Sequence, residues 1–287
     1  MRKRILAAAL MIFIGAALTA VWADPPATQP AKELKLDIGN NVSIKLVLIP
    51  AGKFLMGSPG TEKGRQPGEG RPPGTWVNGN SQIEVTISKP FYMGITHVTV
   101  DQYAQFVKDT GQTHREPQFK QTGNHPVVMV DRNDASAFCT WLSKKTGKTV
   151  VLPTEAQWEY ACRAGTQTVY YFGDDPSKLG DYAWYDHNSG GMTHPVGLKK
   201  PNVWGLYDMH GNVRQWCADF GTYRGYENAN AATDPTGPKN GDFYAMRGGF
   251  FNSDSSGCRS ACRGRGSIQG GIVEDGFRVV VLAAGVD

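Results

Sequence analysis

The apolar residues come in two periods. From Val42 to Ile49 they crowd and imperfectly alternate, which predicts a strand. Pro50-Ala51-Gly52 predicts a turn, and 53–56 a second strand running back. Ile83–Ile87 and 91–95 read as two more strands, and 277–282 as a last one near the end of the chain. Three segments have helical spacing instead. Thr99 with Gln102 forms a capping box ahead of the apolar face Val100, Tyr103, Phe106 and Val107. Asn133 is the expected cap of a second helix, with Ala137, Phe138, Trp141 and Leu142 on one side and Gly147 as its stop. Thr154 with Gln157 opens a third, with Trp158, Ala161 and Cys162 inward and Gly165 ending it. Beyond Gly165 little periodicity remains, and short aromatic runs alternate with Gly, Asn and Pro. The stretch 57–79 is crowded with Gly and Pro and lacks phosphate-loop spacing, so it reads as a disordered insert. No internal repeat is present.

Composition sharpens this pattern. The chain has 287 residues, with 35 Gly, 17 Pro, 7 Trp and 11 Tyr, too many helix breakers for a helical bundle. Its 40% hydrophobic and 20% charged content excludes disorder, collagen and a polytopic membrane protein. The expectation is an α+β domain with low regular secondary structure, a few helices and short antiparallel strands.

The N-terminus changes the picture of charge and compartment. Arg2, Lys3 and Arg4 precede an apolar run from Ile5 to Ala20, and Val21-Trp22-Ala23 fits small-x-small cleavage. The expected division is a signal peptide at 1–23, a flexible Pro- and Ala-rich linker at 24–39, and one domain at 40–287. An uncleaved anchor is the alternative. Removing the three charges before Asp24 takes the net charge from +4 to +1, which gives no footprint for nucleic acid. No later stretch is apolar enough to span a membrane. Export, periplasmic or extracellular, permits disulfides among Cys139, Cys162, Cys217, Cys258 and Cys262. Five is odd, so at least one thiol is left over within the chain. Cys258 and Cys262 lack zinc-finger spacing.

Several segments together are recognisable. They are 48–58 (LIPAGKFLMGS), 125–128 (HPVV), Asn133-Asp134 leading to Phe138-Cys-Thr-Trp141, and 152–165 (LPTEAQWEYACRAG). Then come 205–213 (GLYDMHGNV), Arg247-Gly-Gly249 and Gly276-Phe-Arg278. Their order and spacing over about 40–284 resemble the formylglycine-generating enzyme, or sulfatase-modifying factor, domain family. The resemblance implies a single C-type-lectin-like domain. It also implies an activity: oxidation of a sulfatase cysteine to formylglycine with copper(I), molecular oxygen and two enzyme cysteines. Fold alone does not settle function.

In active members two Cys five positions apart follow Arg-Gly-Gly. Aligned here without a gap, Ser253 takes the first place and Cys258 the second. Aligned on the downstream arginines, a three-residue gap moves Cys258 as well, so the pair is incomplete either way. A serine hydroxyl is a hard ligand and does not replace a copper(I) thiolate. Cys262 supplies a second sulfur only in a rearranged geometry.

The resemblance places Cys162 near a disulfide with the segment around Cys262. It leaves Cys139, whose usual partner position is Val279, as a buried thiol, and Cys217 is a candidate partner for Cys258. It also implies calcium at 208–215, held by the side chains of Asp208 and Gln215 and the carbonyls of Gly211 and Val213. Gln215 stands where the family has Glu, which weakens the site; a calcium-free loop is the alternative. His210, inside the loop, reads as a structural hydrogen-bond donor. Arg132 and Arg214 replace family tryptophans. Of Arg247, Arg259, Arg263, Arg265 and Arg278, most read as internally paired with loop carbonyls and carboxylates such as Glu274 and Asp275; an acidic ligand or a bound peptide backbone is the alternative.

The favoured expectation is therefore an exported module that has lost the chemistry and binds a peptide or glycan in a groove lined by Trp, Tyr and Arg. The alternatives are a copper-dependent oxidase of the formylglycine type, or an oxidase with another metal held by His, Asp and Glu.

Overall fold

The structure is a computed structural model describing residues 32–66, 68–69, 82–221, 231–267 and 270–283. The expected leader and the linker up to residue 31 lie outside these. The fold starts earlier than the sequence reading placed it. Glu33–Gly39 (β1), assigned above to the linker, is a strand paired antiparallel with Val42–Ile49 (β2). Leu36 and Ile38 are buried while Lys35, Asp37 and Gly39 face out, the period of a half-buried strand. Asn40 and Asn41 both take positive φ, 53° and 62°, as a two-residue hairpin turn demands.

The remaining strands follow in chain order. Gly52–Met56 is β3, Ile83–Ile87 β4, Phe91–Gly94 β5, Val150–Val151 β6 and Arg214–Phe220 β7. Ala231–Thr233 is β8, Phe243–Arg247 β9, Gly264–Ser267 β10, Asp275–Gly276 β11 and Val280–Leu282 β12. They form three small sheets, in the orders β1-β2-β5-β12-β6, β10-β9-β7-β11 and β3-β4-β8. Most pairings are antiparallel; β4–β8 and β7–β11 are parallel. The expected terminal strand at 277–282 is divided. Asp275–Gly276 pairs with β7 and Val280–Leu282 with β5 and β6, so the chain passes from one sheet to another across Phe277-Arg278-Val279. That crossing carries Arg278 into the interior, where it is wholly buried.

Val100–Thr110 (α1) starts at the Thr99 capping box with Gln102. Arg132–Thr146 (α2) is capped by Asp131, not by Asn133. Asp131 accepts from Asp134 N at 2.8 Å and the Asp134 carboxylate accepts from Asp131 N at 3.1 Å. An aspartate at the third position completes the box as a glutamate would. Glu155–Arg163 (α3) starts at the Thr154–Gln157 box and turns at Ala164, one residue before the expected glycine.

Tyr103, Phe106, Phe138, Trp216 and Phe277 form a core where α1 and α2 meet the sheets. Trp158, Tyr160, Phe54 and Met209 form a second one around α3. α3 is buried on nearly all sides, Glu155, Glu159 and Arg163 included. Charges placed so must be paired inside the protein.

The cap assignment is testable. Asp131→Ala should lower unfolding free energy by about 1 kcal/mol in denaturant titration. Asn133→Ala, at an exposed position, should stay within about 0.5 kcal/mol.

Candidate functional site

α3 presents Glu155, Glu159 and Arg163 at successive turns. Two arginines from the C-terminal half close on them. Arg247, at the end of β9, donates from Nε to Glu155 at 2.8 Å and from Nη2 to Glu159 at 2.8 Å. Arg263, just before β10, forks onto both oxygens of Glu155 at 2.7 and 2.6 Å. Arg163 donates to Glu159 at 2.9 Å. Burial alone would raise the Glu155 carboxyl, but Arg263 and Arg247 outweigh it and hold it at about 2. Asp219 accepts from Glu155 N at 2.7 Å and is pushed up to about 7 by burial and by the Glu155 charge.

A second ion cluster joins the first. Arg259 donates to Glu62 at 2.7 Å and to both oxygens of Glu69, and Glu69 is wholly buried. Both glutamates lie in the 57–79 stretch read above as a disordered insert. Its described part, 57–66 and 68–69, is instead packed onto the ion frame, with Gly57 N donating to Glu159 at 2.8 Å. Arg247, Arg259 and Arg263 are internally paired, as the sequence suggests, but with glutamates of α3 and of the 57–69 stretch, and Arg278 binds the carbonyls of Gly94 and Tyr207. Glu274 and Asp275 bind Arg214, each at 2.9 Å.

This frame holds both ends of 247–263, the segment with Ser253, Cys258 and Cys262. Phe250 N donates to Ser253 Oγ at 3.0 Å and Ser253 N to Phe250 O at 2.9 Å, so the serine closes a tight turn. Cys258 is wholly buried against Tyr170, Leu179 and Ala183. A Cβ on Gly249 would lie 2.9 Å from its sulfur, and Gly249 has φ 65°, so only glycine fits there. His210 accepts from Tyr171 N through Nε2 at 3.1 Å, which puts its proton on Nδ1, 2.8 Å from the Cys258 carbonyl. Burial lowers its pKa to about 3, so it bridges as a neutral ring.

Burial pushes the Cys258 thiol well above its ordinary range, with Cys262 and Asp254 adding to the effect, and lifts Cys262 to about 11. All five cysteines are separate buried thiols. The pairings considered above are not formed. Cys162 and Cys217 sit in the core around α3, while Cys258 sits in a different cluster. Copper(I) needs convergent thiolates; this segment offers the sulfurs of Cys258 and Cys262, while the Ser253 hydroxyl is a hard ligand already engaged as an acceptor in its turn.

The 208–215 loop is tightly bonded. Asp208 and Asn212 take positive φ, 56° and 71°. A Cβ on Gly211 would lie 2.2 Å from the Trp184 carbonyl. Asn212 accepts from His194 N at 3.0 Å and donates to His194 O at 2.9 Å, and the Gly211 carbonyl accepts from Val213 N at 3.0 Å. Gln215 Oε1 accepts from Trp158 Nε1 at 2.8 Å and from Arg278 Nε at 2.5 Å. These two donors fix the amide orientation and turn Nε2 toward the Asp208 carbonyl at 3.4 Å. Asp208 Oδ2 accepts from Gly197 N, while Oδ1 is buried without a partner among the described residues. One carboxylate and an amide that presents its NH2 to the loop do not fit calcium, which takes oxygen ligands. Among the described residues no three His, Cys, Asp or Glu side chains are placed to share a metal.

Beside Ser253 the surface is aromatic. Phe250 packs edge-on to Phe251 at 5.7 Å, and Phe119 packs on Phe251 at 5.7 Å. The Arg214 guanidinium lies 5.1 Å from the Phe250 ring centre. Further round, Trp184 stacks on His194 at 3.8 Å with Lys199 Nζ 3.9 Å from the indole. The Arg132 guanidinium lies over the Tyr244 ring at 4.5 Å. The sequence reading singled out Arg214 but not Phe119, Phe250 or the Glu62–Glu69 pair. Nothing in local spacing marks these residues; long-range packing does.

Residues 39–283 match the sulfatase-modifying factor enzyme 1-like domain. A formylglycine-generating enzyme of Thermomonospora curvata is 37% identical over 172 residues, 54% of this chain and 55% of that enzyme. The match thus spans about half of that relative's length. The mouse formylglycine-generating enzyme is 29% identical over 82% of this chain and 74% of its own. Among solved structures, PvdO of Pseudomonas aeruginosa superposes with a TM-score of 0.76 at 31% identity, covering 89% of this chain and all of that one. The ion frame, the 208–215 loop and the Arg-Gly-Gly segment all fall inside the matched span, and the chain belongs to the sulfatase-modifying factor enzyme 1-like domain family.

Proposed function

We propose that this chain is an exported member of the family that does not generate formylglycine and instead binds an extended peptide on the aromatic face beside Ser253. The state of Cys258 carries the first half of this reading. A copper(I) thiolate centre needs sulfurs that shed their protons and converge on the metal. Cys258 is wholly buried and its burial favours the protonated form, while the residue opposite in sequence is a serine committed to a turn.

The second half rests on Phe119, Phe250 and Arg214, with Ser253 at their edge. Aromatic rings and an arginine on a rigid support supply contact area at little entropic cost. The support here is rigid because Phe251 N bonds Asn212 O at 3.1 Å and Ser189 Oγ bonds Phe251 O at 2.7 Å. A peptide is favoured over a glycan because Phe119 and Phe250 offer hydrophobic contact, while the nearby carboxylates Glu274 and Asp275 are taken by Arg214. The Thermomonospora curvata and mouse relatives carry the name of an enzyme that generates formylglycine; that activity is what this chain is proposed to lack.

Anaerobic titration of copper(I) into the reduced chain should show no one-to-one complex, and incubation with a Cys-containing peptide and oxygen should yield no aldehyde. A tight complex lost in Cys258→Ser, together with aldehyde formation, contradicts the reading. On an immobilised panel of random peptides, the wild-type chain should select aromatic or aliphatic sequences. Phe250→Ala should weaken the selected interaction by roughly tenfold, the scale of one interface anchor. Equal binding by the variant sinks the proposed face.

A further inference from the structure

Arg278 is a fully buried cation whose hydrogen bonds go to neutral groups. It bonds Gln215 Oε1 at 2.5 Å, the Gly94 and Ile95 carbonyls at 2.9 and 3.4 Å, and the Tyr207 carbonyl at 2.9 Å. No carboxylate oxygen is bonded to it among the described residues. Asp208 is likewise wholly buried, with Oδ2 accepting from Gly197 N at 2.8 Å. Asp208 Oδ1 has no hydrogen-bond partner among the described residues. The buried loop therefore encloses one positive and one negative side chain.

We infer that the 208–215 loop is closed without a divalent cation, because Arg278 supplies the positive charge at its centre and the locked amide of Gln215 presents a donor where a metal needs an oxygen. Charge counting supports this. A divalent ion added to a loop already neutral leaves two positive charges uncompensated in a buried site, and such charge is costly. Calcium sites reduce that cost with several oxygen ligands, carboxylates above all. The amide cannot flip to offer its oxygen, since Trp158 Nε1 and Arg278 Nε would then face an NH2 group. The barrier resides in one atom. Gln215→Glu keeps an oxygen for Trp158 and Arg278, turns a second oxygen to the loop, and adds the missing negative charge. The inference does not depend on whether the aromatic face binds peptide.

Thermal unfolding of the full chain, in excess chelator and in excess calcium, tests this directly. The wild-type melting temperature should be the same in both within about 1 °C. Gln215→Glu should gain roughly 5–10 °C when calcium is a hundredfold above its Kd, from the mass-action stabilisation of a bound state. A calcium-dependent rise in the wild type, abolished by Asp208→Asn, overturns the inference. So does a folded Gln215→Glu variant that gains nothing. If that variant fails to fold, the wild type alone still decides the matter through terbium luminescence sensitised by tryptophan, since Trp158 touches Gln215. Absence of emission that calcium displaces is expected. One-to-one emission lost in Asp208→Asn overturns the inference.

Discussion

Four buried guanidinium groups and four carboxylates, Arg163, Arg247, Arg259 and Arg263 with Glu62, Glu69, Glu155 and Glu159, hold elements that share little regular structure. A buried charge without a partner costs several kcal/mol, about 3–5 when one member of a pair is removed. The pairing is therefore what permits α3 to be buried on almost every side. It also explains why a Gly- and Pro-rich stretch packs: Glu62 and Glu69 lie in that stretch, and Arg259 lies far along the chain. Arginine suits the task because its planar fork meets two oxygens at once, as Arg263 does on Glu155.

The same frame sets the chemistry of the site. With Arg247 and Arg263 fixed at either end, the chain between them folds into a tight turn at Ser253 and a short helical turn at Cys258. Cys258 is left facing Tyr170, Leu179 and Ala183, an apolar setting that favours the thiol over the thiolate. His210 ties the Cys258 carbonyl to the 208–215 loop, and Asn212 ties that loop to Phe251. The candidate binding face thus rests on the frame through a short series of hydrogen bonds.

What could be read from the sequence was local. The Thr99–Gln102 and Thr154–Gln157 boxes and the Gly147 stop stand where their spacing places them, because a cap is a contact over three residues. The Asp131 cap was missed because aspartate at the third position serves as well as the expected Glu or Gln. β1 was missed because seven residues next to a Pro- and Ala-rich run carry only three alternating apolar positions. β7, β9 and β10 gave no periodicity that could be recognised, since their sheet is assembled from segments dozens of residues apart. The family resemblance located the Ser253–Cys258 segment and the 208–215 loop. It left open which glutamates hold the arginines and how the cysteines, five separate thiols in the structure, are placed. Both depend on contacts between distant parts of the chain.

The central claim is that the Arg247–Glu159 contact is energetically coupled within a buried frame rather than incidental. A double-mutant cycle with Arg247→Met and Glu159→Gln, read by denaturant unfolding, measures this most directly. Each single variant should lose about 3–5 kcal/mol, and the double variant should lose less than the two together by about 1–3 kcal/mol. Additive losses, or single variants as stable as the wild type, would contradict the account.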